Sequence, residues 1–299
     1  MLRLGLCCIF RDEPIKFRKT TAAYLLRLAP AARRHYLSEI VSDNAGALQA
    51  ALGYCRDNGI GAFRINSQIL PLKTHPEVGY DITDLPGSKD IVAAFKACGR
   101  FSRTHDIRTS FHPDQFIVLS SPRPEVVHRS IADLAYQAEV ADWVNADVIN
   151  IHAGGAYGDK TVALGRLAAV IAQLPPAIRS RLTLENDDRS YTPSDLLPLC
   201  RRMEIPMVYD VHHHRCLPDG LSESEVTARA LATWDREPLF HVSSPLEGWA
   251  GPKPGRHHDY IAPADLPNEW RKLDITVDVE AKAKELAVLR LLADLYPTS

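Results

Sequence analysis

The chain has 299 residues, 45% of them hydrophobic, and a formal net charge of -2 at pH 7. That is enough apolar material for one barrel-sized unit or two ordinary ones. The charge balance excludes a global basic field for nucleic acid and leaves room only for a local basic face. No apolar stretch is long enough to span a bilayer. The opening MLRLGLCCIF, interrupted by Arg3, is too short for a signal peptide. Cys7, Cys8, Cys55, Cys98, Cys200 and Cys216 are scattered without a CxxC pair. They read as reduced thiols of a cytoplasmic protein, mostly core filler, with Cys216 beside a histidine cluster.

Leu4 to Ile9 is expected to form a first strand, and Ala22 to Leu28 a short helix. Ser42 is expected to cap a helix ending near Asp57, with Leu48, Leu52 and Cys55 on one face and Asn58-Gly59 as its stop. Ile60 to Ile65 gives a second strand, followed by an irregular segment with His75. A helix from Ser88 to His105 leads into a third strand, Ile107 to Phe111, ending at His112-Pro113. Pro124 opens a helix carrying Val127, Ile131, Leu134, Ala138 and Ala141 on one side. Asp147 to Ile151 is a fourth strand ending at His152, with a helix from Thr161 to Gln173 after it. Leu182 to Leu184 is a fifth strand ending at Glu185, and Thr192-Pro193 starts a short helix. Pro206 to Tyr209 is a sixth strand ending at Asp210. A helix from Ser222 to Trp234 and a short seventh strand, Leu239 to Val242, containing His241, come next. After a Gly/Pro-rich loop, Ile275 to Val279 is an eighth strand ending at Glu280, and a helix from Ala281 to Leu295 closes the chain.

Strands alternating with helices argue a parallel sheet with helices outside. Eight such units in this length match a closed (β/α)8 TIM barrel. The rival is an open doubly wound sheet, which usually gathers ligands at one crevice only. There is no linker, low-complexity segment or internal repeat, so residues 1–299 read as one domain.

In a barrel, the carboxyl ends of all strands meet at one face. Here those ends carry His112, His152, Glu185, Asp210, His241 and Glu280, with His213 and His257 or His258 in loops just beyond. The stretch MVYDVHHHR shows the pattern in miniature: an apolar run finishing in an acid and three imidazoles. One such residue is ordinarily a hydrogen-bonded structural group. Six at successive strand ends would crowd acids and imidazoles at one pore, which divalent cations relieve. One catalytic ion takes about three protein ligands. This set therefore suits two or three ions, with Glu185, whose two oxygens can be shared, as the bridge. Two-metal sites serve phosphate ester cleavage. The turn HAGGAYGDK has GGxxG spacing, weak as a nucleotide motif and explained most simply as a turn needing positive φ. Arg123, Lys160, Arg189, Arg215, Lys253 and Arg256 lie near the strand ends, where they could meet phosphates. Tyr157, Tyr191, Trp249 and Tyr260 share those loops and could stack on unpaired bases.

The stretches FHPDQFIVLSSPRPEVV, INIHAGGAYGDK, LENDDRSYT, YDVHHHR, HHDYI and DVEAKAKELA resemble those of ultraviolet-damage endonucleases, barrel enzymes related in fold to endonuclease IV. The resemblance runs from about residue 60 to the C-terminus. It implies a site of two or three divalent ions, commonly manganese. It also implies cleavage of damaged double-stranded DNA on the 5′ side of the damaged base, leaving a 3′-hydroxyl. By position the implied ligands are His112, His152, Glu185, Asp210, His213, His241, His257 and Glu280, with His75 as a further one. Glu185, Glu280 and His241 form the expected catalytic centre. Gln115 and Phe116 fall at the lesion-probing pair, with Phe116 where the family has a tyrosine. The substrate contacts expected around them are Arg123, Tyr157, Lys160, Arg189, Arg215 and Tyr260.

The chain also departs from the family pattern. Leu6 and Phe10 stand where a tyrosine and an asparagine are usual, and Leu239 stands where a lysine is usual. These changes bear on the substrate more than on the metal core: Leu6 and Phe10 are expected to lie near Gln115 and Phe116 and to make the probing surface more apolar than in the usual family member. A metal-dependent barrel enzyme acting on a small molecule or peptide, such as a sugar isomerase or an oxidative iron enzyme, is the alternative reading. A metal-binding protein without catalysis is a third. The basic and aromatic loop residues favour damaged DNA. The ligand set suits manganese, zinc and iron alike. A monomer is expected.

Overall fold

The computed structural model describes residues 2–297. Eight parallel strands close into a barrel in chain order, with helices packed outside: a (β/α)8 TIM barrel. The strands are β1 (Arg3–Cys7), β2 (Ala62–Ile65), β3 (Arg108–Phe111), β4 (Ala146–His152), β5 (Leu182–Glu185), β6 (Met207–Asp210), β7 (Leu239–Val242) and β8 (Thr276–Val279). Closure is made by β1, which pairs with both β2 and β8. The helices are α1 (Ala22–Leu26), α2 (Pro30–Asp57), α3 (Ser88–Thr104), α4 (Pro124–Val144), α5 (Lys160–Ile171), α6 (Pro176–Arg179), α7 (Pro193–Met203), α8 (Val211–Cys216), α9 (Glu223–Leu231) and α10 (Glu285–Leu295).

Strands β5 to β8 are buried along their whole length. Both of their faces meet protein, so their sequences run apolar except where polar groups turn inward. The outward faces pack Leu6, Phe63 and Phe111 against the helices. Each such full burial contributes about 1.5–3 kcal/mol. The barrel floor is a separate apolar layer of Val148, Val208 and Leu239, covered by Trp234, whose indole N–H donates to the Met207 carbonyl at 2.8 Å. In-register pairing sets His152 beside Glu185 and Asp210 beside His241. Parallel strands thus deliver these side chains as neighbours at the upper rim.

Several expected boundaries move. Helix α2 begins at Pro30, not at Ser42, which sits exposed in mid-helix. Proline at the first helical position needs no side-chain cap. The PPAIR stretch adds the short helix α6. The last helix starts at Glu285 rather than Ala281, after Lys284 turns to φ 53°. The buried Glu285 carboxylate accepts the backbone N–H groups of Arg11, Asp12 and Glu13, at 2.8, 2.7 and 3.3 Å, and so pins the loop after β1.

Two substituted family positions also resolve differently from expectation. Leu6 is fully buried on the outer face of β1 and contributes nothing to a DNA-facing surface. Phe10 is half-buried, packed edge-on to Tyr54 at 5.2 Å and over Phe63 at 6.1 Å. Among the described residues, no helix is long and apolar enough to cross a membrane.

Candidate metal centre

Glu185 is the hub of the upper rim. Its Oε1 lies 3.2 Å from His241 Nδ1 and 3.3 Å from His213 Nδ1. Its Oε2 lies 2.9 Å from His112 Nε2 and 3.9 Å from His152 Nε2. One buried carboxylate therefore divides its oxygens between two histidine pairs. Three overlapping groups offer converging ligand atoms: His112/His152/Glu185, His112/His241/Glu280 and Glu185/Asp210/His213. His257 joins at the margin, with Nδ1 3.8 Å from Glu280 Oε2. The His258 ring is turned away and accepts the Tyr260 backbone N–H at 3.0 Å. His75 stays outside these groups, accepting the Glu77 N–H at 3.2 Å.

Local structure aims each group. Histidines 212–214 lie on the short helix α8, not in a loop, and Asp210 is its N-cap, accepting the His213 N–H at 2.8 Å. That fixes Asp210 Oδ1. Asp210 Oδ2 is buried with no hydrogen-bond partner among the described residues. A carboxylate oxygen left so is costly, and an ion held with Glu185 and His213 would satisfy it. His112 Nδ1 faces the Pro113 carbonyl at 3.1 Å, an acceptor for a proton on that nitrogen, and Nε2 faces the cage 2.9 Å from Glu185 Oε2, where a bound cation would find its lone pair. His214 faces outward between Tyr209 (2.8 Å) and Asp219 (3.0 Å) and anchors α8. The donor set, imidazole plus carboxylate, fits a borderline or hard divalent ion.

Several residues under the cage were missed from sequence. Asn150 donates to Glu185 Oε2 at 2.5 Å and accepts from Thr183 at 2.9 Å. Arg64 donates to Glu280 Oε1 at 2.5 Å, and its Nη1 is 3.9 Å from Asp278. The signal was available: each lies two residues before a rim ligand on its strand, or is a polar residue interrupting an apolar strand, and period-two alternation turns such residues inward.

The electrostatics describe a cage that holds protons when it holds no metal. Burial opposes the charge on Glu185, but His152, His241 and His112 outweigh it and hold the carboxyl well below its usual range. Burial likewise opposes the charge on Glu280, and Arg64 and His241 overcome it. Burial disfavours the His241 cation, yet Glu185 and Glu280 push its pKa up to about 9. His213 is raised well above its usual value, with Asp210 and Glu185 overcoming burial. For His112, burial wins over Glu185 and the pKa falls.

Metal needs neutral imidazoles, so apparent metal affinity is expected to rise between pH 6 and 9, with proton release on binding. Titration calorimetry in two buffers of different ionisation enthalpy checks this. The metal-free fold follows the opposite sign. The His241 contribution is complete below its unfolded value of 6.5 and is lost as pH rises through about 9. The Glu185 and Glu280 contributions are present above 4.5 and are lost as pH falls through their depressed values. The metal-free melting temperature is therefore expected to peak between those limits and decline toward pH 9.

The expected substrate residues divide in two. Gln115 and Phe116 project from the loop after β3, and Phe116 is 74% exposed. Arg123, Arg189 and Tyr157 are also exposed. A groove of about 360 Å³, lined by Gln115, His152, Gly154, Asp187, Arg189 and His213, opens beside the cage. By contrast Arg215 is held by both oxygens of Glu223, at 2.7 and 2.8 Å, and by Asp265. Lys160 is paired with Asp195 at 2.8 Å, and Tyr260 lies under the Arg290 guanidinium. Tyr191 is buried, with its hydroxyl donating to the Gly155 carbonyl. These four side chains have internal partners that a phosphate or base would have to displace.

Fold and site together define a class: a TIM barrel with an imidazole–carboxylate cage at the carboxyl ends of its strands. The comparisons narrow it. Residues 2–298 match the family described as UV-endonuclease UvdE, and the chain belongs to that family. It is 36% identical to the UV DNA damage endonuclease of Bacillus velezensis, over 96% of this chain and 91% of that protein. The crystal structure of SacUVDE superposes with a TM-score of 0.88 at 28% identity, covering 99% of this chain and 98% of that one. Endonuclease IV from Thermus thermophilus shares the fold, with a TM-score of 0.60 at 17% identity, covering 83% of this chain and 92% of that one.

Proposed function

We propose that this chain is a metal-dependent DNA repair endonuclease. It nicks the phosphodiester on the 5′ side of a damaged base in double-stranded DNA and leaves a 3′-hydroxyl. The observation that carries this is the cage itself: three ligand groups share residues through Glu185 and His112. The names borne by the family and by its relatives support the same reading. Two or three divalent ions fit the donor set, with manganese preferred and zinc or iron also accommodated. When bound, they supply Lewis acidity toward the phosphate and its leaving oxygen.

The chain's own residues do the rest. Glu185, Glu280 and His241 gather and orient the ions from the barrel interior, while His112, His152, Asp210, His213 and His257 complete the ligand set. His75 is left out of that set. Arg123 and Arg189, both exposed, meet backbone phosphates. Gln115 can donate and accept in the space that a flipped nucleotide vacates, and Phe116 wedges into the base stack. Tyr157, half exposed with the Arg166 guanidinium over its ring, offers a further stacking surface. Lys160, Arg215 and Tyr260 act indirectly, by fixing the loops they pair within. The protein works as a monomer in the cytoplasm, one barrel per site.

The test is a nicking assay with matched damaged and undamaged duplexes, with manganese and with a chelator. Metal-dependent incision beside the lesion is expected. Metal-loaded protein that cuts neither duplex and binds neither at low salt overturns the DNA reading in favour of a small-molecule or peptide substrate.

A further inference from the structure

Beneath the cage lies a second polar layer that the ligand set does not use. Asp278 sits in it, two residues before Glu280 on β8 and so on the same inward face. Its side chain is fully buried, and neither carboxylate oxygen has a hydrogen-bond partner among the described residues. His241 Nε2, 3.8 Å from Asp278 Oδ2, is buried and unpartnered as well. The other ring nitrogen, Nδ1, faces Glu185 at 3.2 Å, Glu280 at 3.5 Å and Asp210 at 4.0 Å. The two nitrogens of one imidazole thus look in opposite directions, one into the cage and one at an acid with no hydrogen bond of its own among the described residues.

We propose that Asp278 is a positioning residue for His241. It accepts a hydrogen bond from Nε2–H, so that Nδ1 would present its lone pair to a metal held with His112 and Glu280. This rests on the metal-centre reading above. A ligating imidazole generally donates its other N–H to a carboxylate or carbonyl, which fixes tautomer and ring orientation. The 3.8 Å separation is too long for a hydrogen bond as it stands. Such contacts commonly tighten when the site is loaded. The carboxylate has one other cationic neighbour, Arg64, whose Nη1 is 3.9 Å from the same oxygen but donates its hydrogen bond to Glu280 at 2.5 Å. Gly5, the register partner of Asp278 on the adjacent strand β1, supplies the room, because a Cβ there would overlap Asp278 Oδ1. The absence of a side chain at Gly5 is therefore part of the same arrangement.

The experiment compares wild type with Asp278→Ala, Asp278→Asn and Gly5→Ala. Manganese binding is followed by titration calorimetry, the visible spectrum of the cobalt-loaded protein is recorded, and melting of the metal-free protein is measured. Asp278→Ala should weaken one class of metal site by about 10- to 100-fold. Asp278→Asn, which keeps an acceptor oxygen for the ring proton, should fall between it and wild type. Gly5→Ala touches no ligand but displaces the carboxylate, so it should reproduce the loss and the altered cobalt spectrum. A purely structural role would move the melting temperature and leave affinity and spectrum unchanged; that result overturns the proposal. Should Asp278→Ala fail to fold, Asp278→Asn and Gly5→Ala decide it. Wild-type protein that takes up neither manganese nor cobalt overturns the metal-centre reading and this inference together. Wild-type protein that binds metal while all three variants match it overturns only this one.

Discussion

Replacing Glu185 by alanine is expected to remove at least one bound divalent ion per chain and to lower nicking by about a thousandfold, the upper range for loss of one preorganised electrostatic group. The geometry explains the size of the effect. Both Glu185 oxygens face imidazoles, Oε1 toward His213 and His241 and Oε2 toward His112 and His152. Without that charge, four imidazoles crowd a buried space with only Asp210 and Glu280 left to balance the ions. Asn150 also loses its acceptor, leaving a buried amide unsatisfied. Glu185→Gln, which keeps the shape, should lose metal while keeping more of the metal-free fold. Elemental analysis of both variants reads the stoichiometry directly. An unchanged metal content in Glu185→Ala would sink the bridging role.

The second large effect concerns discrimination. Phe116→Ala is expected to reduce incision of the damaged duplex by about 10- to 100-fold, because one base–aromatic stack is worth about 1–3 kcal/mol. Metal content should stay at the wild-type value, since Phe116 is exposed and belongs to none of the ligand groups. Gln115→Ala should act in the same direction with a smaller effect, having hydrogen bonds but no ring to lose. Both substitutions should narrow the ratio between damaged and undamaged substrate, measured as single-turnover rates on the two duplexes. An unaltered ratio in both variants would remove this loop from lesion recognition. Leu6 belongs to the core and takes no part in it, so the apolar character of this loop is carried by Phe116 and not by Leu6.

Much of this protein was legible in its sequence because a parallel barrel has a simple grammar. Each strand is a short apolar run, each connection returns to the same end, and so a residue just after a run must lie on the upper rim. That is why the sequence alone groups His112, His152, Glu185, Asp210, His241 and Glu280. The order of the strands and the rim position of these six followed from the pattern alone.

What only the tertiary structure decided is which polar groups already have partners. Arg215 and Lys160 looked free to meet phosphate, yet Glu223, Asp265 and Asp195 occupy them, and of those acids Asp265 and Asp195 lie 50 and 35 residues away in the chain. Leu6 looked like part of the rim, but the pleat of β1 turns it outward into the core while Gly5 opens toward Asp278. The layer of Arg64, Asn150, Thr183 and Asp278 under the ligands depends on strand register around the closed barrel, which sets which side chains share a level. A linear pattern carries the period of each strand. It does not carry the stagger between strands, because that stagger is fixed only when β8 closes on β1.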